Sequence, residues 1–280
     1  MEGIPAGIVD FHVHLFPDRL FDAIWHFFES DYGIPIIHRL YYRECIEYLH
    51  ERNVEYIAYS NYAHRPGVAR GLNEWNLSVL EEFPRLFCFA AYHPDDRDNR
   101  SMVASLLEHP RVLGFKLQLL VQEFHPLDER LFPLYEQVID ADKRILFHAG
   151  TGPVGNPYVG IDNFRKLLLR FPRLPATIAH MGSLEYREFI DLLDEYPDII
   201  LDTAWAFLPE SPFMFDQPPE LIERYKDRIV YGSDFPNLIY PREDEIDCLL
   251  SFNLSGECYE RIFRENGMAL LRRHGTVSPA

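Results

Sequence analysis

Apolar residues in this chain come in short runs, each followed by a longer stretch in which apolar and polar positions alternate at helical spacing. The first run, Gly7-Ile8-Val9-Asp10-Phe11-His12-Val13-His14-Leu15, is bounded by Gly7 and by Phe16-Pro17 and reads as a strand. Seven more strands follow, at 54–61, 86–92, 112–117, 145–148, 176–180, 199–202 and 229–232. The spacing between them predicts helices over 18–29, 39–51, 72–82, 100–108, 128–140, 162–170, 184–195 and 219–225, with two more over 243–251 and 257–272. Pro17 stands where a helix can begin, and Pro84 where one stops. Strands that are almost wholly apolar are buried on both faces. Eight of them alternating with helices predict an α/β fold of the (β/α)8 TIM barrel type. An open doubly wound sheet is the competing architecture, but no Gly-rich phosphate loop follows the first strand.

With 280 residues and no Gly/Ser/Pro-rich linker, the chain is expected to form one domain over 1–280. A formal charge of -17 argues against a sequence-independent grip on nucleic acid or anionic lipid, so the expected partner is a small molecule. Cys45, Cys88, Cys248 and Cys258 lie far apart, which suits reduced thiols better than a disulfide framework. No basic segment precedes the first strand and no apolar run is long enough to span a bilayer, so a cytoplasmic protein without membrane attachment is expected. The segment 204–219 is rich in aromatic and apolar residues. It would either cover the barrel mouth or pack against a second subunit, leaving a homo-oligomer open.

Candidate chemistry sits at the C-terminal ends of the strands. Residues two apart on a strand share a face, so His12 and His14 can approach one ion together. Taken alone, the pair could equally satisfy hydrogen bonds in a core. Lys116 ends the fourth strand, where alternation places Gly114, Lys116 and Gln118 on one face and Leu113, Phe115 and Leu117 on the other, against the helices. The ammonium then points into the barrel, where it needs a partner such as Asp10 or Asp202, or an anionic ligand. His148 and His180 end the fifth and sixth strands and Asp234 stands just past the eighth, and in a parallel barrel all these ends meet at one mouth. His64, Arg65, His93, Gln118, Glu123 and His125 follow strands and are weaker candidates for ligand contact. His26, His50, His109 and His274 are expected in solvent.

The ordered set Asp10-Phe11-His12-Val13-His14, Gly114-Phe115-Lys116-Leu117, Leu146-Phe147-His148-Ala149-Gly150, Ala179-His180-Met181-Gly182 and Tyr231-Gly232-Ser233-Asp234-Phe235-Pro236 resembles the amidohydrolase superfamily. It is most similar to the amidohydrolase-2 branch, with its metal-dependent hydrolases and decarboxylases related to aminocarboxymuconate-semialdehyde decarboxylase. The resemblance implies that His12, His14, His148 and Asp234 hold one divalent ion, most simply Zn2+, with His180 beside it as the acid/base. Imidazoles and one carboxylate suit zinc, which lowers the pKa of a bound water to about 7. Asp234 would also take the water's proton. Lys116 would bind an anionic substrate or, as a carbamate, bridge a second ion. The expected activity is hydrolysis of an amide, ester or lactone. The alternative is non-oxidative decarboxylation of a small unsaturated or aromatic acid, and a barrel that binds a ligand without turnover is the third reading.

Overall fold

The structure is a computed structural model and describes residues 4–31, 33, 35–274 and 277. Eight strands, β1 (Ile8–His14), β2 (Val54–Ser60), β3 (Leu86–Ala91), β4 (Val112–Gln118), β5 (Arg144–His148), β6 (Ala176–Ile178), β7 (Ile199–Asp202) and β8 (Ile229–Val230), lie in that order in one parallel sheet. The ring is closed between the last strand and the first. The Phe11 amide donates to Tyr231 O and the Asp234 amide to His12 O, both at 2.8 Å, and Val13 bridges Phe235. This is the (β/α)8 barrel that the alternation of strands and helices predicts.

Two apolar clusters divide the core. One fills the barrel: Val9 and Phe11 from β1, Tyr56 and Ala58 from β2, Phe87 and Phe89 from β3, with Leu113, Leu146, Ile200 and Val230. The other lies between the strands and the surrounding helices, and includes Val13, Leu15, Phe115, Leu117 and Phe147. Leu113 therefore faces inward, contrary to the simple alternation that sets it beside Phe115. The reason is a break in the β3–β4 register next to Gly114. Gly114 has φ +143°, and a Cβ there would stand 1.7 Å from Arg144 O, so only glycine fits. A second break, between Asp10 and Val13 on β1, lets Phe11 join the inner cluster while His12 and His14 still face the mouth.

The N-terminal end of the barrel is stopped by the helix Asn266–His274, whose Met268, Leu270 and Leu271 complete the inner cluster. The single helix predicted over 257–272 is divided. Gly256–Glu260 and Asn266–His274 are joined by a π turn at Arg261–Glu265, and Ile262 O within that turn accepts the Tyr231 amide at 2.8 Å. Lys143 Nζ donates to Val112 O and His274 O at 2.7 and 2.8 Å, which ties the last helix to β4. His274 is thus buried, not solvated, because its helix plugs the barrel. No described helix is long and apolar enough to cross a membrane.

Candidate metal centre

The strand ends deliver their side chains to one buried cluster at the mouth. His12 Nδ1 lies 2.9 Å from Asp202 Oδ2, and its Nε2 lies 3.2 Å from Lys116 Nζ and 3.3 Å from Asp234 Oδ1. Because the carboxylate of Asp202 can only accept, it holds the His12 proton on Nδ1 and leaves the Nε2 lone pair facing Asp234. Burial keeps His12 well below the usual histidine range, so it stays neutral, and Lys116 and His14 push it further down against Asp234. His14 Nε2 reaches Asp234 Oδ1 at 3.0 Å, with Ser60 Oγ 3.4 Å from its other nitrogen. Trp205 Nε1–H donates to Asp234 Oδ2 at 2.9 Å. Burial raises the Asp234 pKa, but the imidazoles of His14, His12 and His180 outweigh it and hold the carboxyl ionised.

His180 does not end a strand as the sequence suggests. β6 stops at Ile178, and His180 and Met181 adopt left-handed backbone angles, φ +59° and +50°. The turn is held because Asp202 Oδ1 accepts the His180 amide at 2.9 Å, while His180 Nδ1 lies 3.0 Å from Ala204 O. That carbonyl fixes the proton on Nδ1 and leaves Nε2 free. Burial, His12 and Lys116 bring the His180 pKa down to about 4 in spite of Asp234 and Asp202. One ligand atom from each of His12, His180 and Asp234 falls within 4.8 Å of the others. His148 stands beside them with its ring centroid 4.8 Å from that of His180. Its Nε2 lies 2.8 Å from Gly152 O and its Nδ1 lies 3.2 Å from Gln118 Nε2, so both nitrogens are engaged by protein.

The donor set fits a divalent ion. Asp234 Oδ1 is buried and makes no hydrogen bond, although two imidazole nitrogens approach it within 3.3 Å. The His12 Nε2 lone pair meets Lys116 Nζ at 3.2 Å, so Asp234 Oδ1, buried and without a hydrogen bond, is the atom left to take a cation. Three imidazoles and one carboxylate are ligands that zinc and manganese both accept. Lys116 is fully buried beneath His12 and does not line the cavity; burial lowers its pKa to about 8 against Asp234 and Asp202.

Above the cluster opens a cavity of about 350 Å3, within the range of small-ligand sites. His14, His148, His180 and Asp234 form its floor, and Phe28, Leu120, Val154, Trp205, Phe213 and Ile239 contribute to its walls. Trp205 and Phe213 come from the aromatic segment after β7, whose Phe207 and Phe215 are buried in the core. That segment therefore roofs the mouth. Of the weaker candidates only Gln118 lines the cavity; His64, Arg65 and Glu123 are exposed, and His125 pairs with Asn163. Sequence reasoning gave Asp202 only the part of a partner for Lys116, although its place at the end of Ile199-Ile200-Leu201-Asp202 matches that of the histidines. Trp205 carried no signal of its bond to Asp234.

The match to known proteins agrees with this geometry. The amidohydrolase family profile covers residues 9–273. The chain belongs to the amidohydrolase family. No curated protein sequence matches it. Solved structures of similar fold include a 2,6-dihydroxybenzoate decarboxylase bound to 2,6-dihydroxybenzoate, at 18% identity and TM-score 0.68, covering 97% of this chain and 100% of that one. A 5-carboxyvanillate decarboxylase from Novosphingobium aromaticivorans, bound to manganese and a nitrobenzoic acid, matches at 12% identity and TM-score 0.66, with 97% of each chain covered. A protein assigned as a 2-pyrone-4,6-dicarboxylic acid hydrolase from Pseudomonas putida matches at 14% identity and TM-score 0.65, over 96% of this chain and 98% of that one. These structures share the barrel fold with this amidohydrolase, and the activities they are named for include both decarboxylation and hydrolysis.

Proposed function

We propose that this amidohydrolase catalyses metal-dependent, non-oxidative decarboxylation of a small aromatic or unsaturated carboxylic acid. The observation that carries the reading is the His/Asp cluster at the floor of a largely apolar, aromatic-walled cavity. A flat, mainly apolar body suits the walls, while its carboxylate meets the His/Asp floor. His12 and His14, whose Nε2 atoms lie 3.3 and 3.0 Å from Asp234 Oδ1, would hold the ion together with that carboxylate; His148, the further ligand implied by the family pattern, would have to exchange its contact with Gly152 O or Gln118 Nε2 for the ion. When bound, the ion would supply Lewis acidity that orients the carboxylate and stabilises charge developing beside it.

The residues then divide the work. Trp205 and Phe213 exclude water above the reacting carbon, and a dry site favours a step in which a charged carboxylate becomes neutral CO2. His180, neutral at rest with Nε2 free toward the site, takes a proton from solvent and delivers it to the carbon, which keeps the electron pair of the bond broken as CO2 leaves. Lys116 places a positive charge beside His12 Nε2, at 3.2 Å. Zinc and manganese are both compatible with this set.

Hydrolysis of a carbonyl substrate is the second reading, supported by the resemblance to the pyrone dicarboxylic acid hydrolase. The test is metal analysis joined to a panel of aromatic acids and lactones, with CO2 release and water addition followed separately. CO2 release that depends on the ion supports the proposal; lactone opening without CO2 release replaces it with hydrolysis. His148→Ala is expected to lower metal content, and His180→Ala to retain the ion while abolishing turnover. The reverse result would exchange the roles of those two histidines.

A further inference from the structure

The walls of the cavity above the floor carry carbon and neutral polar groups. Val121, Val154, Phe213 and Ile239 contribute hydrocarbon, and Ser183 and Asn237 contribute uncharged polar atoms. Asn237 is 4% exposed, and its Oδ1 is buried without a hydrogen-bond partner. Among the described residues that line the cavity there is no lysine or arginine. The positions outside the description hold neither residue type in the sequence. Lys116, the one ammonium close by, is occupied by His12 below the floor.

We infer from this that the ligand carries a single anionic group, seated at the His/Asp floor, and that a second carboxylate on its body is rejected. The inference rests on the proposed seating of the substrate carboxylate at that floor. A carboxylate taken out of water against an apolar wall keeps its desolvation penalty unless a cation or several donors meet it there. The neutral groups present, the Asn237 and Gln118 carboxamides and the Ser183 hydroxyl, can pair with a hydroxyl or amino group on the ligand but bring no charge to balance a carboxylate. The net charge of -17 opposes a dianion over longer distances as well. The cavity therefore selects monocarboxylates with a neutral, flat body over dicarboxylates of the same size.

Isothermal titration calorimetry on the metal-loaded full chain tests this with isophthalate and monomethyl isophthalate, which share ring and bulk and differ in one charge. The half-ester is expected to bind at least about tenfold more tightly than the diacid. Val154→Lys sets an ammonium on the wall at a position already 58% exposed, and it should close that gap. Isophthalate binding as tightly as the half-ester to the unaltered protein would overturn the inference, as would a gap untouched by Val154→Lys. Failure of both acids to bind would overturn the seating and the inference with it. CO2 release is scored separately on the same samples. A preference for the half-ester without CO2 release from any acid removes the decarboxylase reading and leaves the single-charge rule standing.

Discussion

Replacing Asp202 with asparagine changes one oxygen to an amide group and should strip the ion from the site. Asp202 Oδ1 accepts the amides of His180 at 2.9 Å and Ala204 at 3.2 Å, while Oδ2 holds His12 Nδ1 at 2.9 Å. In Asp202→Asn the carbonyl must stay with the two backbone donors, which are buried and have no other acceptor. The NH2 group then faces His12 Nδ1. Two N–H groups cannot share that contact, so the His12 proton moves to Nε2 and the lone pair aimed at Asp234 is lost. Outer partners of this kind are typically worth 10–100-fold in metal affinity, about 1.4–2.7 kcal/mol. The assay is chelator competition for Zn2+ and Mn2+ at fixed pH, with far-UV circular dichroism to establish an intact fold. Nitrogen-15 shifts of the His12 ring should report the exchanged tautomer. Metal affinity within twofold of the parent, in a folded protein, would refute the role given to Asp202.

Trp205→Phe keeps the aromatic wall but removes the donor to Asp234 Oδ2, so metal affinity should fall about tenfold; unchanged chelator competition would count against it. Gly114→Ala forces a Cβ to within 1.7 Å of Arg144 O at φ +143°, and urea unfolding should show a loss of at least about 3 kcal/mol, whereas an unshifted midpoint would mean that β4 relaxes freely. His274 is held down to about 3 by burial and by Arg144, Lys143 and Arg273, with Asp142 opposing. The unfolded chain takes up that proton below about 6.5 and the folded one does not, so its share of stability is full above that pH and lost as pH falls toward 3. His274→Gln should therefore flatten the decline in urea stability between pH 7 and 5; an identical slope would place the titration elsewhere.

The eight strands and most helices were legible because each strand is a short apolar run and each helix a longer amphipathic one, and burial on two faces or one leaves that mark directly in the chain. Convergence of His12, His14 and His148 followed from the same logic, since strand ends in a parallel barrel share a mouth. What escaped were features that depend on contacts between distant segments. The register breaks on β1 and β4 put Phe11 and His12, and likewise Leu113 and Lys116, on the inner side together, which strict alternation forbids. Only the neighbouring strand defines such a break, and Gly114 betrays the one on β4 because no other residue fits against Arg144 O. His180 shows the same limit from the other direction. Its local sequence continues an apolar strand, yet the Asp202 carboxylate, 22 positions later, captures its amide and turns it out of β6. One buried aspartate thereby sets both the tautomer of His12 and the backbone of His180. The geometry of the centre thus depends on a residue that sequence reasoning placed beside it without giving it a task.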